Sequence, residues 1–350
     1  MKNKLIISIS ATSVLFFACD DKNNNPVTEY DFSSILTNVS EKVITATYED
    51  LHEKAETLLD AINELESNQT AEYHEAAKEA WRVCRSPWEQ SEGFLFGPVS
   101  TAGIDPSIDS WPVNTVDLDA VLASADALTK DYIDGLEGTL KGFHTIEYLI
   151  WGTDGNKTVD DFTEREFEYL IAVTQSIEGA IDILFESWSP AHENFAANIS
   201  NAGEAGSIYV SQKSAMQEIV NGMIAIADEV ANGKINDPLS EGDITLEESR
   251  FSANSKSDFQ DNIRSIENLF DGKYLTDEAG VSDFILSVDA ELEQEVHDAI
   301  HNAIDAIGNI PGTFTDAIFI NPDEVSAAQT AVRDLQTLLE TEVKPIIDEL

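Results

Sequence analysis

His144 and Glu147 are the residues whose types and spacing best suit them to chemistry. Three positions apart on a helix, an imidazole and a carboxylate project from one face about one turn apart, so both can converge on one metal ion or one proton. They lie in Gly142-Phe143-His144-Thr145-Ile146-Glu147-Tyr148-Leu149-Ile150-Trp151-Gly152, an apolar helix in which a polar pair needs a reason. A metal ion needs about four protein or solvent ligands, so other segments must complete the set.

Two stretches offer partners. Trp81, Arg82, Arg85, Trp88, Glu89 and Glu92 set charges among large aromatics, either around a site or as side chains that reach past apolar stems to the rim. Glu248-Ser249-Arg250-Phe251-Ser252 reads as a helix opening, where free N–H groups and a hydroxyl can bind an anion, orient a carboxylate or simply cap the helix. His297 and His301 have the i, i+4 spacing of a transition-metal chelate, but they flank the Val296, Ile300, Ile304 stripe without a third ligand and read as surface histidines. No Gly-rich phosphate loop, Gly-x-Ser-x-Gly elbow or Cys-x-x-Cys pair is present, which sets aside nucleotide enzymes and serine hydrolases.

The positioning elements are helices. Val43, Ala46, Leu51, Ala55, Leu58, Leu59, Ile62 and Leu65 predict an amphipathic helix over 41–67. Thr70 caps a second, which runs to about residue 93 with Pro87 as a kink or break. A turn-rich loop follows over 97–114, then a short helix over 117–128 and a longer one over 131–151 that carries the His-Glu pair. Thr163 and Glu166 form a capping box for a long helix that Pro190 bends. Beyond the break at 201–206, helices are expected over 207–232, 245–270, 282–307 and 322–350, the last with Asn321 as its cap. No stretch alternates as a strand would. The expected fold is all-α, two helical-bundle domains over 35–202 and 203–350 with a site in the cleft between them. A short echo, His144-Thr145-Ile146-Glu147-Tyr148-Leu149 against Arg264-Ser265-Ile266-Glu267-Asn268-Leu269, leaves open a rearranged duplication or coincidence.

At the start, Lys2 and Lys4 precede an apolar and weakly polar run too short to span a bilayer, which reads as a signal peptide over 1–18. Cys19 after Ala18 resembles a bacterial lipoprotein processing site, with a flexible, Asn-rich tether over 19–34. The expectation is an exported protein held in the bacterial cell envelope by lipid alone, at the outer membrane, facing the periplasm or the cell surface. Cys84 is then the only other thiol, so no internal disulfide is expected. Sixty-six acidic residues against twenty basic ones give a formal charge of −46, which excludes nucleic acid as a partner.

Gly142 to Gly152 also resembles the Gly-x-His-x-x-Glu signature of the imelysin family of bacterial envelope proteins. Ser91-Glu92-Gly93-Phe94 with Gly97-Pro98, Trp111-Pro112, and Glu248 to Ser252 with Asn254 and Asp258 reinforce it in the same order. The resemblance implies two helical bundles with His144 and Glu147 central at their junction. It implies Glu92 as a third metal-facing oxygen, and Arg85, Arg250, Ser252 and Trp111 around the ligand. The implied cofactor is a metal ion, iron or zinc. The first functional expectation is binding of iron or an iron chelate for uptake, alongside an envelope transport partner. The alternatives are a zinc metallopeptidase with Glu147 as ligand or base, and a metal-free interaction module in which His144 and Glu147 form a buried pair.

Overall fold

A computed structural model describes residues 30–350. The signal peptide, Cys19 and the tether as far as residue 29 lie outside the described residues, and the tether's expected last two residues, Ser33 and Ser34, instead open a short helix, Ser33–Asn38. Among those described, no strand forms beyond one isolated bridge between Lys273 and Asp277, and no helix is long and apolar enough to cross a membrane. The fold is all-α, as the periodicity predicts.

The long helices are α1 (Thr45–Asn68), α2 (Ala71–Glu89), α3 (Gly142–Trp151), α4 (Glu164–Trp188), α5 (Gln212–Glu229), α6 (Ser255–Asp271), α7 (Ala290–Gly308) and α8 (Pro322–Leu338). In the first half α1 packs against α2 and α4, and α3 lies against α2 and α4; in the second, α6 and α8 flank α7, and α5 lies against α6 and α8. The halves meet where α2 and the 3-10 turn Glu92–Phe94 press on α5 and α6. Their buried apolar side chains form one continuous cluster across this junction. The N-terminal turns Ser33–Asn38 also lean on the second half, where Asn38 Nδ2 donates to the carbonyls of Gly272 and Ala279 at 2.7 and 2.9 Å.

At the junction the backbones are close enough to require glycine. A Cβ on Gly222 would lie 2.2 Å from the Gly93 carbonyl oxygen, and one on Gly93 would lie 2.7 Å from Ser265 Oγ. The Gly93 of the sequence motif is thus a contact point of two helix groups.

Several helices end differently from the sequence reading, each for a local reason. The expected helix over 131–151 is three pieces, Lys130–Asp134, a 3-10 turn Gly138–Leu140 and α3, because Lys141 is extended and Gly142 has φ +79°. α2 keeps Pro87 in its last turn and stops at Glu89. α4 ends at Trp188 instead of bending at Pro190, since the residue before a proline is pushed towards extended backbone, as Ser189 is. The expected helix from 245 begins only at Ser255; Ser249 and Ala253 take positive φ of 51° and 57°, and 247–254 is a turn. The echo between 144–149 and 264–269 ends at two glycines, Gly152 and Gly272, both of positive φ at helix C-caps, but its glutamates differ: Glu147 is buried and Glu267 lies partly exposed beside His301.

The capping box at α4 forms, with Glu166 N–H donating to Thr163 Oγ1 at 3.1 Å and Thr163 N–H donating to Glu166 Oε2 at 2.8 Å. Burial opposes the Glu166 charge, but the Lys157 ammonium, 2.6 Å from Oε1, and the Thr163 N–H hold its carboxyl below its ordinary value of 4.5. A carboxyl lowered in the folded state stabilises above its unfolded pKa and loses that contribution as pH falls through the folded one. Glu166→Gln is therefore expected to cost about 1 kcal/mol at pH 7, with the partial exposure of the pair already discounted. In urea titrations the difference should close as pH is taken well below 4.5; a gap that persists there would contradict the assignment.

Candidate metal centre

Seven segments bring charge to one buried point. Arg85 and Glu89, one turn apart on α2, face the junction, and Glu92 follows on the 3-10 turn. Asp109 ends the short turn Asp105–Ile108. α3 supplies His144 and Glu147, and the turn over 247–254 supplies Glu248, Ser249 and Ser252. Lys234 closes a π-helical turn, Val230–Lys234, that continues α5, while Asp258 and Asn262 come from α6.

The start of α3 is placed by a glycine. With φ +79°, Gly142 brings the start of α3 against the backbone of the Asp105–Ile108 turn, and a Cβ there would lie 2.3 Å from the Ile108 carbonyl oxygen. This close approach sets His144 beside Asp109. Gly142→Ala is expected to lower stability by about 2 to 4 kcal/mol, read from urea unfolding, because it combines a left-handed backbone with a backbone clash.

Arg85 is fully buried and holds four carboxylates. Its guanidinium binds Asp109 and Glu89 in very short pairs, meets Glu248 Oε1 at 2.6 Å, and places Nε 3.7 Å from Asp258 Oδ2. Lys234, also buried, places Nζ 2.7 Å from Glu92 Oε2, 3.0 Å from Glu248 Oε2 and 3.4 Å from Glu89 Oε2. Asn262 Nδ2 donates to Glu89 Oε2 and Glu92 Oε2 at 2.6 and 2.7 Å. Trp88 Nε1 donates to Asp109 Oδ2 at 2.6 Å.

His144 and Glu147 divide their work. Ser252 donates to Glu147 Oε1 from both its N–H and its hydroxyl at 2.7 Å, and Glu147 Oε2 lies 3.2 Å from His144 Nδ1. Glu147 thus stands behind the imidazole and fixes its ring. The opposite nitrogen, Nε2, faces inward, 3.0 Å from Asp109 Oδ1 and 3.8 Å from Glu248 Oε1. A carboxylate on the far ring nitrogen is the arrangement that orients histidine ligands in metal sites.

The cluster holds more carboxyl groups than groups able to carry positive charge. Six buried carboxylates, Glu89, Glu92, Asp109, Glu147, Glu248 and Asp258, face three groups able to carry positive charge, Arg85, His144 and Lys234. Burial pushes Glu89 and Glu92 well above the usual carboxylate range against Arg85 and Lys234, and lifts Asp258 to about 7. Burial also opposes charge on Asp109 and Glu248, yet Arg85 holds Asp109 well down, and Lys234 with His144 brings Glu248 to about 2. Burial and Arg85 disfavour a charged His144, but Asp109, Glu147 and Glu248 outweigh them and raise it.

Two overlapping sets of ligand atoms lie within 4.8 Å of one another: Asp109, His144 and Glu248, and Glu89, Glu92 and Asp109. Oxygen donors with one imidazole suit iron, zinc or manganese, and a bound cation would favour ionisation of the carboxyl groups that burial raises. The residues fit a metal ion. Glu147 belongs to neither set, because the turn at 247–254 draws its carboxylate onto Ser252.

Of the residues singled out in the sequence, His144, Glu147, Glu92, Arg85 and Ser252 meet in the cluster. Trp111 lies half-buried over it, its ring 6.0 Å from that of His144 and 5.4 Å from Lys234 Nζ. Arg250 stays at the half-buried outer side of its turn, stacked on Phe251 at 4.1 Å. Asp109, Lys234 and Asn262 escaped the sequence reading. Asp109 is one acid among many in an irregular loop, and Lys234 ends a helix where a basic residue is ordinary. The i, i+4 spacing of Asp258 and Asn262 on α6 was the available signal.

An all-helical protein with a buried, acid-rich, metal-competent cluster at the junction of two helix groups is the class this architecture defines. The model of the family described as Imelysin matches residues 44–341, and the chain belongs to that family. It is 28% identical over 315 residues to Iron-regulated protein A of Synechococcus elongatus, covering 88% of this chain and 84% of that one. A crystal structure of a protein described as an iron-regulated protein A precursor, from Parabacteroides distasonis, superposes with a TM-score of 0.82 at 26% identity, covering 90% of this chain and 94% of that one. An imelysin-like protein from Psychrobacter arcticus shares the fold at 12% identity, with a TM-score of 0.74 over 91% of this chain and 97% of that one.

Proposed function

We propose that this protein binds one iron ion between Asp109, His144 and Glu248 and serves iron uptake in the bacterial cell envelope, tethered by a lipid at Cys19. The convergence of those three side chains within a cluster of surplus carboxylates carries the reading. The bound ion would favour the ionised forms of the carboxyl groups that burial raises, and Glu147 would hold the imidazole from behind. The Iron-regulated protein A of Synechococcus elongatus directs the choice among metals to iron. An iron chelate delivered to the site and an envelope transport partner that receives the metal complete the proposed route.

Binding is favoured over peptide cleavage by the position of Glu147. A hydrolytic zinc needs an open coordination position and a base for its water. Both oxygens of Glu147 are engaged, and its side chain is fully buried.

The test is elemental analysis of the full chain, purified without chelators and loaded in turn with Fe(II) under anaerobic conditions, ferric citrate and Zn(II). About one equivalent of iron is expected in the wild type, lost in a His144→Ala, Asp109→Asn double variant. Retention of no metal by the wild type under any loading would overturn the proposal; zinc retained in preference to iron would overturn the choice of metal.

A further inference from the structure

The two ligand sets share Asp109, and Glu248 also spans them: its Oε1 faces Arg85 and His144 and lies 3.2 Å from Lys234 Nζ, and its Oε2 lies 3.0 Å from the same ammonium. Carboxylates that reach two neighbouring positions are the framework of centres holding two metal ions side by side. Here one position faces the inward nitrogen of His144 and borders the Arg85 guanidinium, whose Nη2 lies 2.6 Å from Glu248 Oε1 and 3.4 Å from His144 Nε2. The other holds a compact cation, the Lys234 ammonium, with four oxygens of three carboxylates at 2.7 to 3.4 Å.

A buried lysine is rare unless its charge is fully compensated, and an ammonium is a compact point charge that can stand where a metal ion would. The backbone is shaped to deliver it. Lys234 ends the π-helical turn Val230–Lys234, and such local widenings of a helix occur preferentially at functional sites. Asn262 braces Glu89 and Glu92 from the opposite side, so this cage keeps its form from α6 as well as from the lysine. A cavity of about 310 Å³, whose lining includes Glu92, Glu218 and Glu229 among apolar residues, adjoins the cage at Glu92.

We propose that Lys234 is a built-in counter-cation filling the second ion position of a two-position carboxylate centre, so that the protein accepts a single metal ion and is barred from a second. The inference rests on the one-ion reading of Asp109, His144 and Glu248, and Lys234 is the residue that sets how many ions enter.

Equilibrium dialysis of the full chain against Mn(II), with electron paramagnetic resonance of the loaded protein, tests it. One bound equivalent with the spectrum of an isolated ion is expected for the wild type. Lys234→Met should take up two, with the spectrum of a magnetically coupled pair. Lys234→Met combined with Glu92→Gln should return to one, because the second position loses a charged oxygen. No bound ion in the wild type but one in Lys234→Met would support the second position while removing the one-ion reading. Equal stoichiometry in the wild type and Lys234→Met overturns the proposal. Should Lys234→Met be unfolded without metal, its circular dichroism must recover on addition of Mn(II); a chain that stays unfolded in Mn(II) also overturns it.

Discussion

Arg85→Met is expected to destabilise the protein by about 3 to 5 kcal/mol, the cost of removing one partner from a buried ion cluster. Asp109, Glu89, Glu248 and Asp258 all depend on this guanidinium, and the bulky methionine fills much of its volume without offering a charge or a donor. The loss is electrostatic more than steric. Arg85→Lys should recover only part of it, since a single ammonium cannot reproduce the planar fork that meets Asp109 with one nitrogen and Glu89 and Glu248 with the other. Urea unfolding of the three proteins at one pH checks the order wild type, lysine, methionine. A methionine variant as stable as the wild type would mean that the carboxylates around Arg85 are held neutral and need no cation.

The second large effect concerns Glu147. If this residue orients His144 without touching the ion, Glu147→Ala should weaken metal binding by about 10- to 100-fold, while His144→Ala should abolish it. Glu147→Gln should lie nearer the wild type, because its amide oxygen can still accept from Ser252 or from the imidazole. Isothermal titration of the three variants with Fe(II) separates these outcomes. Equal loss in Glu147→Ala and His144→Ala would return Glu147 to the role of a direct ligand. The alanine variant also leaves the Ser252 N–H without its acceptor, at a stability cost of about 1 to 3 kcal/mol that unfolding curves would show. Comparing affinity only among variants that remain folded removes that contribution.

The family match and the 28% identical relative agree with the function class to which the sequence motifs pointed, that of an iron-related imelysin.

The sequence by itself determined the helical nature of the chain, because apolar residues recur at helical spacing along α1, α2, α4 and α7, and that periodicity is a local property of the chain. It also placed His144 and Glu147 on one face of one helix, a consequence of helix geometry alone. Caps that depend on neighbours, such as Thr70 before α2 and Thr163 with Glu166 before α4, were legible for the same reason. The tertiary structure alone decided which side of the imidazole faces Asp109 and Glu248, since that depends on Ser252 arriving from 105 residues away to claim Glu147. It alone brought Asp109, Lys234 and Asn262 together, because each is polar or charged in a chain full of such residues, and nothing local distinguishes a buried acid from the exposed ones around it. The turn at 247–254 shows the same limit: its positive φ values at Ser249 and Ala253 break a segment that helical pattern would continue, and they are sustained by contacts across the junction, Ser252 to Glu147 and Glu248 to Arg85 and Lys234. Periodicity is written in neighbouring residues, whereas charge compensation in a buried cluster is a balance among distant ones.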